Sequence, residues 1–149
     1  MRVAHDGVAF QAPDGWDVVR PAADATIVIE PDRADGGFRA NLVLIVGDDG
    51  DLSFRDWQNG TDVLLRHELV DFLLLDLERL DVAGHPGGRR LAHHTGREGA
   101  GLVTEQWFTQ VDRTGYTLTA TVDSLRYPLL AIPFDECAAS LILPGEAPG

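Results

Sequence analysis

The sequence predicts one α+β domain in which β-strands, several of them joined by tight turns, accompany two amphipathic helices. Its 149 residues, 44% of them hydrophobic, fit one domain with a substantial core. Two β-patterned segments, 103–111 and 116–122, flank a short turn-forming sequence. Apolar residues at helical spacing occupy residues 53–69 and recur near the C-terminus. We therefore expect antiparallel strand pairs packed against helices.

The N-terminal region predicts three short strands. Residues 8–10 are apolar, and Pro13-Asp14-Gly15 follows as a turn. Residues 16–19 are then expected to return antiparallel to the first strand. Residues 26–30 are rich in β-branched side chains and predict another strand.

A longer strand is expected over residues 39–47. Its centre, 42–46, is apolar without alternation, which predicts a strand covered on both faces. Ser53 then predicts the N-cap of a helix over 53–69. The acidic residues before it do not form a calcium loop, because the twelfth position from Asp49 is a glycine rather than a glutamate.

Residues 72–80 fit either a continuation of this helix or a strand, because their leucines match both spacings. Residues 82–88, which contain three glycines and a proline, predict a loop. A strand is expected over 89–94.

The C-terminal third gives the clearest pattern. Apolar residues alternate with threonines from Tyr116 onward, which is typical of a half-buried strand. A four-residue turn would pair Val111 with Tyr116 and Trp107 with Ala120, placing Trp107 on the buried face. Ser124 is expected to cap a final helix that Pro133 kinks or delays. That helix carries a buried stripe at Phe134, Cys137, Ala138 and Leu141.

The segment HHTGREGAG, residues 93–101, predicts a hairpin connection rather than a phosphate or metal site. A phosphate loop leads from a strand into a helix, whereas here a second strand follows. Its glycines are expected to supply positive φ angles for the reversal. Neighbouring residues of a strand point to opposite faces, so His93 and His94 cannot chelate one ion together.

Composition argues against several classes of function. The formal net charge is −12 and the basic residues are scattered, which argues against nucleic-acid binding. The simplest interpretation of the acidity is solubility, with a basic partner as the alternative. No apolar run reaches membrane-spanning length, and Cys137 is expected to be a core residue. We expect no cofactor and no metal.

Five segments resemble the LpqN-type proteins of actinobacteria and, more broadly, the PsbP-like superfamily that includes the DcrB and Eag proteins. The resemblance covers about residues 7–143. The segments are 10–16 (FQAPDGW), 39–46 (RANLVLIV), 82–94 (VAGHPGGRRLAHH), 105–122 (EQWFTQVDRTGYTLTATV) and 134–143 (FDECAASLIL).

This resemblance implies an α/β/α sandwich with a central, mostly antiparallel sheet and helices on both faces, and it implies that residues 72–80 form a strand. It also implies a largely non-catalytic protein, since PsbP supports photosystem assembly and Eag proteins are chaperones for apolar segments of secretion effectors. The family has no shared catalytic motif to carry over. The chain lacks the leader and lipobox cysteine of LpqN, so a cytoplasmic location is expected.

The leading hypothesis is a non-catalytic, protein-binding or chaperone-like module whose binding surface includes Trp57 or Trp107. The alternative is a small-molecule-binding protein or enzyme in which Glu105, His93 or His94, and Arg90 converge. A structural role as a homodimer is a third hypothesis.

Overall fold

The computed structural model describes residues 1–146, which contain nine strands and two helices. The strands are β1 (Arg2–His5), β2 (Val8–Gln11), β3 (Asp17–Ala22), β4 (Ala25–Ile29), β5 (Asn41–Asp48), β6 (Val70–Val82), β7 (His85–Thr95), β8 (Gly101–Val111) and β9 (Thr114–Asp123). The helices are α1 (Phe54–Glu68) and α2 (Tyr127–Ala139), and a single 3-10 turn covers Arg97–Gly99.

Seven of these strands form one antiparallel sheet in the order β3-β4-β5-β9-β8-β7-β6. The strands β1 and β2 form a separate two-stranded sheet. The predicted α+β fold with a mostly antiparallel sheet is confirmed. Because β6 and β3 lie at the edges, β8 and β9 are central, and their side chains set the chemistry of both sheet surfaces.

The predicted pairing of the N-terminal strands is wrong. Residues 16–19 were expected to return against residues 8–10, but β2 pairs with β1 and β3 pairs with β4. The sequence of β1, RVAH, is too short to show a strand pattern. Its Val3 nevertheless belongs to the hydrophobic core.

The expectation that β5 is covered on both faces is also wrong. Leu42 and Leu44 are fully buried, whereas Ile45 is 42% exposed and Val43 is only half-buried. The strand therefore alternates in burial although its sequence does not alternate in hydrophobicity. One surface of this part of the sheet lacks a complete cover.

Helix α1 begins as predicted, with the Ser53 hydroxyl accepting a hydrogen bond from the backbone N–H of Asp56. Helix α2 does not, because it begins at Tyr127 and Ser124 lies in the preceding turn. The carboxylate of Asp123 accepts a hydrogen bond from the N–H of Arg126, next to that start. Pro133 lies inside the helix.

Residues 72–80 form a strand, as the resemblance implied, but the predicted loop at 82–88 is wrong. Strands β6 and β7 are joined through Ala83 and Gly84, and β7 already begins at His85. The glycines of this segment belong to the strand itself. At Gly88 a Cβ would lie 2.6 Å from Cζ of the Phe108 ring, so glycine makes room for that ring.

The hairpin between β8 and β9 is tighter than predicted. Asp112 and Arg113 form a two-residue turn with φ angles of 48° and 71°, which suits the twist of paired strands. Val111 therefore pairs with Thr114 rather than with Tyr116, and Trp107 pairs with Leu118 rather than with Ala120. The shift is two residues, so Trp107 keeps the predicted face and is 3% exposed.

Residues 93–101 connect β7 to β8, as predicted, but only one of their glycines has a positive φ. Gly99 has a φ of 76° and open space around it. Gly96 and Gly101 instead lie close to neighbouring side chains, and a Cβ on Gly96 would lie 2.6 Å from Leu102 Cδ1, which would then have to move. A Cβ on Gly101 would lie 3.0 Å from the ring of His93.

Candidate functional site

Strand β8 divides its polar and aromatic side chains between the two surfaces of the sheet. Glu105 and Trp107 point to one surface, and Gln106 and Phe108 point to the other, because side chains alternate along a strand. All four are buried. The functional side chains predicted from the sequence therefore fall into two separate environments.

Trp57 belongs to the environment of Phe108. Its ring meets Phe108 edge-on at a centroid distance of 5.9 Å, and Phe54 stacks on the same ring at 5.8 Å. These aromatic contacts attach α1 to the sheet. Trp57 and Trp107, both predicted as binding-surface residues, therefore do not share one surface, and the binding role of each stays a prediction.

Arg90 lies beside this aromatic group with only 2% of its surface exposed. Its guanidinium lies 4.7 Å from the centre of the Phe108 ring and donates to Gln106 Oε1 at 2.6 Å. Its Nε donates to Asp62 of α1 at 2.7 Å. All three contacts are structural, because Asp62 ties Arg90 to α1 while Gln106 and Phe108 tie it to the neighbouring strand β8.

The predicted convergence of Glu105, the histidines and Arg90 is wrong. Glu105 of β8 lies directly opposite Leu91 of β7, so these two side chains share one surface of the sheet. Arg90, the neighbour of Leu91, therefore points to the opposite surface. His94 lies on the surface of Arg90, where its Nε2 and Thr104 Oγ1 are 2.8 Å apart. His93 lies on the other surface, next to Gly101.

Glu105 instead forms a buried cluster with Arg89 and Tyr127. Arg89 Nε donates to one carboxylate oxygen at 2.5 Å, and the Tyr127 hydroxyl donates to the other at 3.1 Å. Arg89 also donates to Asp76 and Glu78 of β6. Burial raises the pKa of Glu105, while Arg89 acts in the opposite direction. Three carboxylates thus share one guanidinium, which leaves this region negative.

An open cavity of about 500 Å³ lies on the same side of the sheet as Trp107. It is bordered by the end of the β6–β7 hairpin, by α2 and by the residues that follow α2. The lining residues are Leu80, Asp81, Val82, Ala83, Gly84, Trp107, Asp135, Ala138, Ala139, Leu141, Ile142 and Glu146. Small side chains on the hairpin and on α2 create the recess, and larger apolar residues form the rest of its wall.

The charged residues that line this cavity are all acidic. Asp81 and Asp135 make no ion pair with any residue from 1 to 146, and Glu146 meets only His85, at 2.6 Å. Asp135 also raises the pKa of Glu105 by charge repulsion, after the larger effect of burial. The cavity therefore combines an apolar wall with an uncompensated negative charge.

Helix α2 leaves an apolar side exposed next to the cavity. Leu129 and Ile132 are 75% and 71% exposed, and Leu125, just before the helix, is 90% exposed. Ile132 and Ala139 lie two turns apart on the same side of the helix, so this side leads to the cavity rim. We call Leu125, Leu129 and Ile132 the α2 stripe.

The α2 stripe was not among the residues predicted from the sequence, although a signal was present. Residues 127–134, YPLLAIPF, contain no charged side chain, whereas a helix on a sheet needs only one apolar side. The buried side of α2 was predicted correctly, since Phe134, Cys137, Ala138 and Leu141 are buried. The excess apolar residues on its outer side were the missed signal.

Neither a reactive thiol nor a metal cluster occurs at the site. Cys137 is buried, and burial raises the pKa of its thiol to about 11. Across residues 1–146, no three His, Cys, Asp or Glu side chains are grouped so that they could hold a metal ion. No helix in the same range is long and apolar enough to cross a membrane.

No protein-family model matches the sequence, and no curated protein matches it either. Solved structures do match in fold. LpqN of Mycobacterium tuberculosis, involved in cell envelope biogenesis, is 14% identical with a TM-score of 0.71 over 95% of this chain and 88% of LpqN. CyanoP, the PsbP protein of Synechocystis sp. PCC 6803, is 18% identical with a TM-score of 0.70 over 96% of this chain and 91% of its own.

A third similar structure is Mog1p, a Ran-binding protein of Saccharomyces cerevisiae. It is 10% identical with a TM-score of 0.64, over 92% of this chain and 90% of Mog1p. The chain therefore has a PsbP/Mog1-like fold. The α+β fold with a mostly antiparallel sheet that the sequence resemblance implied is therefore confirmed.

Proposed function

We propose that this protein is a non-catalytic module that binds another protein through the α2 stripe. The observation that carries the proposal is the exposure of Leu125, Leu129 and Ile132 beside and within a helix whose first eight residues, 127–134, carry no charged side chain. A helix with this composition is normally buried. A contiguous exposed apolar surface of this kind is typical of a protein-interaction site.

The α/β/α sandwich, with helices on both faces, is part of this proposal. Helix α1 packs on Phe108, and α2 reaches Glu105 through Tyr127. Positions 105 and 108 are three apart on β8, so their side chains point to opposite sides. With α2 as an outer layer, its far side is free to meet a partner.

The state of the reactive side chains supports a non-catalytic role. Both carboxylate oxygens of Glu105 are engaged, one by Arg89 and one by Tyr127. The thiol of Cys137 is buried and its pKa is raised, which disfavours the nucleophilic thiolate. Neither group is placed to meet a substrate.

Proteins of similar fold give further support. Mog1p is a Ran-binding protein, and LpqN takes part in cell envelope biogenesis. A chaperone-like or assembly role, with a protein partner rather than nucleic acid, fits both the fold and the α2 stripe. The LpqN-type likeness of the quoted sequence segments points the same way.

Site-specific photo-crosslinking in the source cells tests the proposal. A photoreactive residue at Ile132 should yield a discrete crosslinked product with one protein. Leu129→Gln introduced into the same chain should reduce that product at least severalfold, because it makes the stripe polar while keeping a good helix former. Val63 of α1, which is 69% exposed, provides a matched control position.

The control decides the outcome. Equal products from positions 63 and 132 would contradict a specific α2 surface, and so would the absence of any product from position 132. A product that Leu129→Gln leaves unchanged would show that the apolar side chains do not drive the contact.

A small-molecule-binding role is the second candidate, because the cavity of about 500 Å³ falls within the usual range of ligand pockets. Its wall is apolar with a few polar groups, as in such pockets. A bound small molecule in protein purified from its source, detected by mass spectrometry after denaturation, would favour this role over protein binding.

A further inference from the structure

We propose that the cavity beside Trp107 receives an apolar side chain, flanked by lysine or arginine, from the protein that docks on the α2 stripe. This inference rests on the proposed function and deepens it, since it specifies the chemistry of the partner segment. Ile132 of the stripe and Ala139 of the cavity lie two turns apart on the same side of α2, with Glu136 between them.

The apolar half of the proposal follows from the walls of the cavity. Leu80, Trp107, Leu141 and Ile142 provide apolar surface, while Ala138 and Ala139 leave space in front of it. A recess of this kind next to an exposed apolar helix side suits an anchoring side chain. Its volume of about 500 Å³ is sufficient for such an anchor together with part of a neighbouring side chain.

The basic half follows from charge. Asp81, Asp135 and Glu146 line the cavity, and no lysine or arginine does. Their mutual repulsion is relieved when a cation approaches, and the apolar wall strengthens that attraction by limiting the access of water. Lysine and arginine also carry apolar stems, which can lie along the apolar wall while their charged ends reach the carboxylates.

The charge of the rest of the chain acts in the same direction. The formal net charge of −12 favours approach of a basic segment and disfavours an acidic one. A second copy of this chain carries the same negative charge, so it is a poor occupant. The buried cluster of Glu105 with Arg89 adds to the negative field, because Arg89 is shared with Asp76 and Glu78.

Binding of a labelled peptide tests the proposal on the full chain. The probe is a fluorescein-labelled peptide of leucine pairs separated by lysines, and its controls replace either the lysines by glutamate or the leucines by serine. Fluorescence anisotropy should show saturable binding of the probe. Each control peptide should bind at least about tenfold more weakly, since it lacks one of the two required features.

Variants of the protein locate the site. Asp135→Asn should weaken the probe about threefold to tenfold, because it removes one of the uncompensated charges. Glu68→Gln is the matched control: it makes the same change of charge at an exposed position of α1, outside the cavity, and should stay within about twofold. Ala139→Phe fills the recess from an exposed position and should abolish saturable binding without unfolding the protein.

Each contrary result has a definite meaning. If Glu68→Gln weakens the probe as much as Asp135→Asn, the attraction is a general effect of net charge. If the Ala139→Phe protein binds the probe normally, the probe does not enter the cavity. Either result contradicts the proposed cavity site. If octylammonium displaces the probe as strongly as the unlabelled peptide does, and the serine control peptide binds as well as the probe, the cavity is a site for small amines. The proposed partner segment is then wrong. If the crosslinked product from position 132 persists in the Ala139→Phe protein, only the cavity inference is overturned. If position 132 gives no product even when Ala139 is unchanged, the proposed function is overturned.

Discussion

Arg90 and Asp62 join the sheet to α1, with the guanidinium Nε 2.7 Å from the carboxylate Oδ1. Arg90 is 2% exposed, and burial lowers its pKa while Asp62 opposes this effect. No residue of helix α1 is fully buried, so its attachment depends on a few half-buried contacts. The ion pair and the aromatic contacts of Phe108 are therefore its principal attachments.

The first prediction concerns that ion pair. Asp62→Ala should lower the free energy of unfolding by about 3 kcal/mol, because it leaves a buried guanidinium without its anion. Breaking a buried ion pair typically costs about 3–5 kcal/mol. The lower end of this range applies here, because Asp62 itself is partly exposed. Denaturant unfolding followed by circular dichroism measures the change.

Two variants serve as controls for this prediction. Asp56→Ala removes an exposed acid from the same helix and should cost less than about 1 kcal/mol. Arg90→Met combined with Asp62→Ala should recover part of the loss, since it removes the buried charge as well. A loss below about 1 kcal/mol for Asp62→Ala alone would contradict the importance of the ion pair.

Local patterns predicted the elements whose signals lie within a few residues. The helix over 53–69, the strand at 103–111 and the link at 93–101 depend on capping, alternation and glycine content, and all three occur in the structure. The alternation of β9 also placed Trp107 on its correct face, even though the predicted turn was two residues too long.

Features that depend on distant partners could not be predicted in this way. The pairing of β1 with β2 and the partial cover over Ile45 are decided by which elements meet in space. The cavity likewise arises between the β6–β7 hairpin and α2, which are about 50 residues apart in sequence. Sequence periodicity does not indicate whether two such elements pack tightly or leave a recess.

The second prediction ranks Trp107 against Gly99. Trp107→Ala should cost about 3–5 kcal/mol, because the side chain is almost fully buried and its loss enlarges a cavity. Gly99→Val should cost roughly 1 kcal/mol or somewhat more, because a β-branched residue is strained at a φ of 76°. Gly99→Asn should be milder, since asparagine tolerates this conformation.

Thermal or denaturant unfolding ranks the three variants. The expected order of loss is Trp107→Ala first, then Gly99→Val, then Gly99→Asn. A Trp107→Ala variant that unfolds like the unmodified protein would contradict the packing role assigned to Trp107.

The third prediction concerns the thiol of Cys137. Because burial raises its pKa to about 11, the thiolate fraction is very small at pH 7.5, and the surrounding core also excludes reagents. Iodoacetamide should therefore label the native protein at least about a hundredfold more slowly than the protein unfolded in guanidinium. Mass spectrometry of timed samples measures both rates. Comparable rates would mean that the α2 core opens readily, or that Cys137 is accessible.

The fourth prediction is a pH dependence caused by His94. Burial lowers the pKa of His94, and the neighbouring His93 adds to this shift. A histidine with a folded-state pKa below its unfolded value of about 6.5 binds more protons when unfolded. Its protonation therefore favours unfolding, and the free energy of unfolding should fall as the pH drops below about 6.5.

His94→Gln isolates this contribution, because glutamine does not titrate and can still bond to Thr104. Between pH 7.5 and pH 5.5 the unmodified protein should lose more stability than the variant. Glu105 has a raised pKa and therefore contributes with the opposite sign above about pH 4.5, but it is present in both proteins and cancels in the difference. Denaturant unfolding at several pH values measures the two slopes. If the stability of the two proteins changes with pH to the same extent, His94 has the same proton affinity in the folded and unfolded states, and this prediction is wrong.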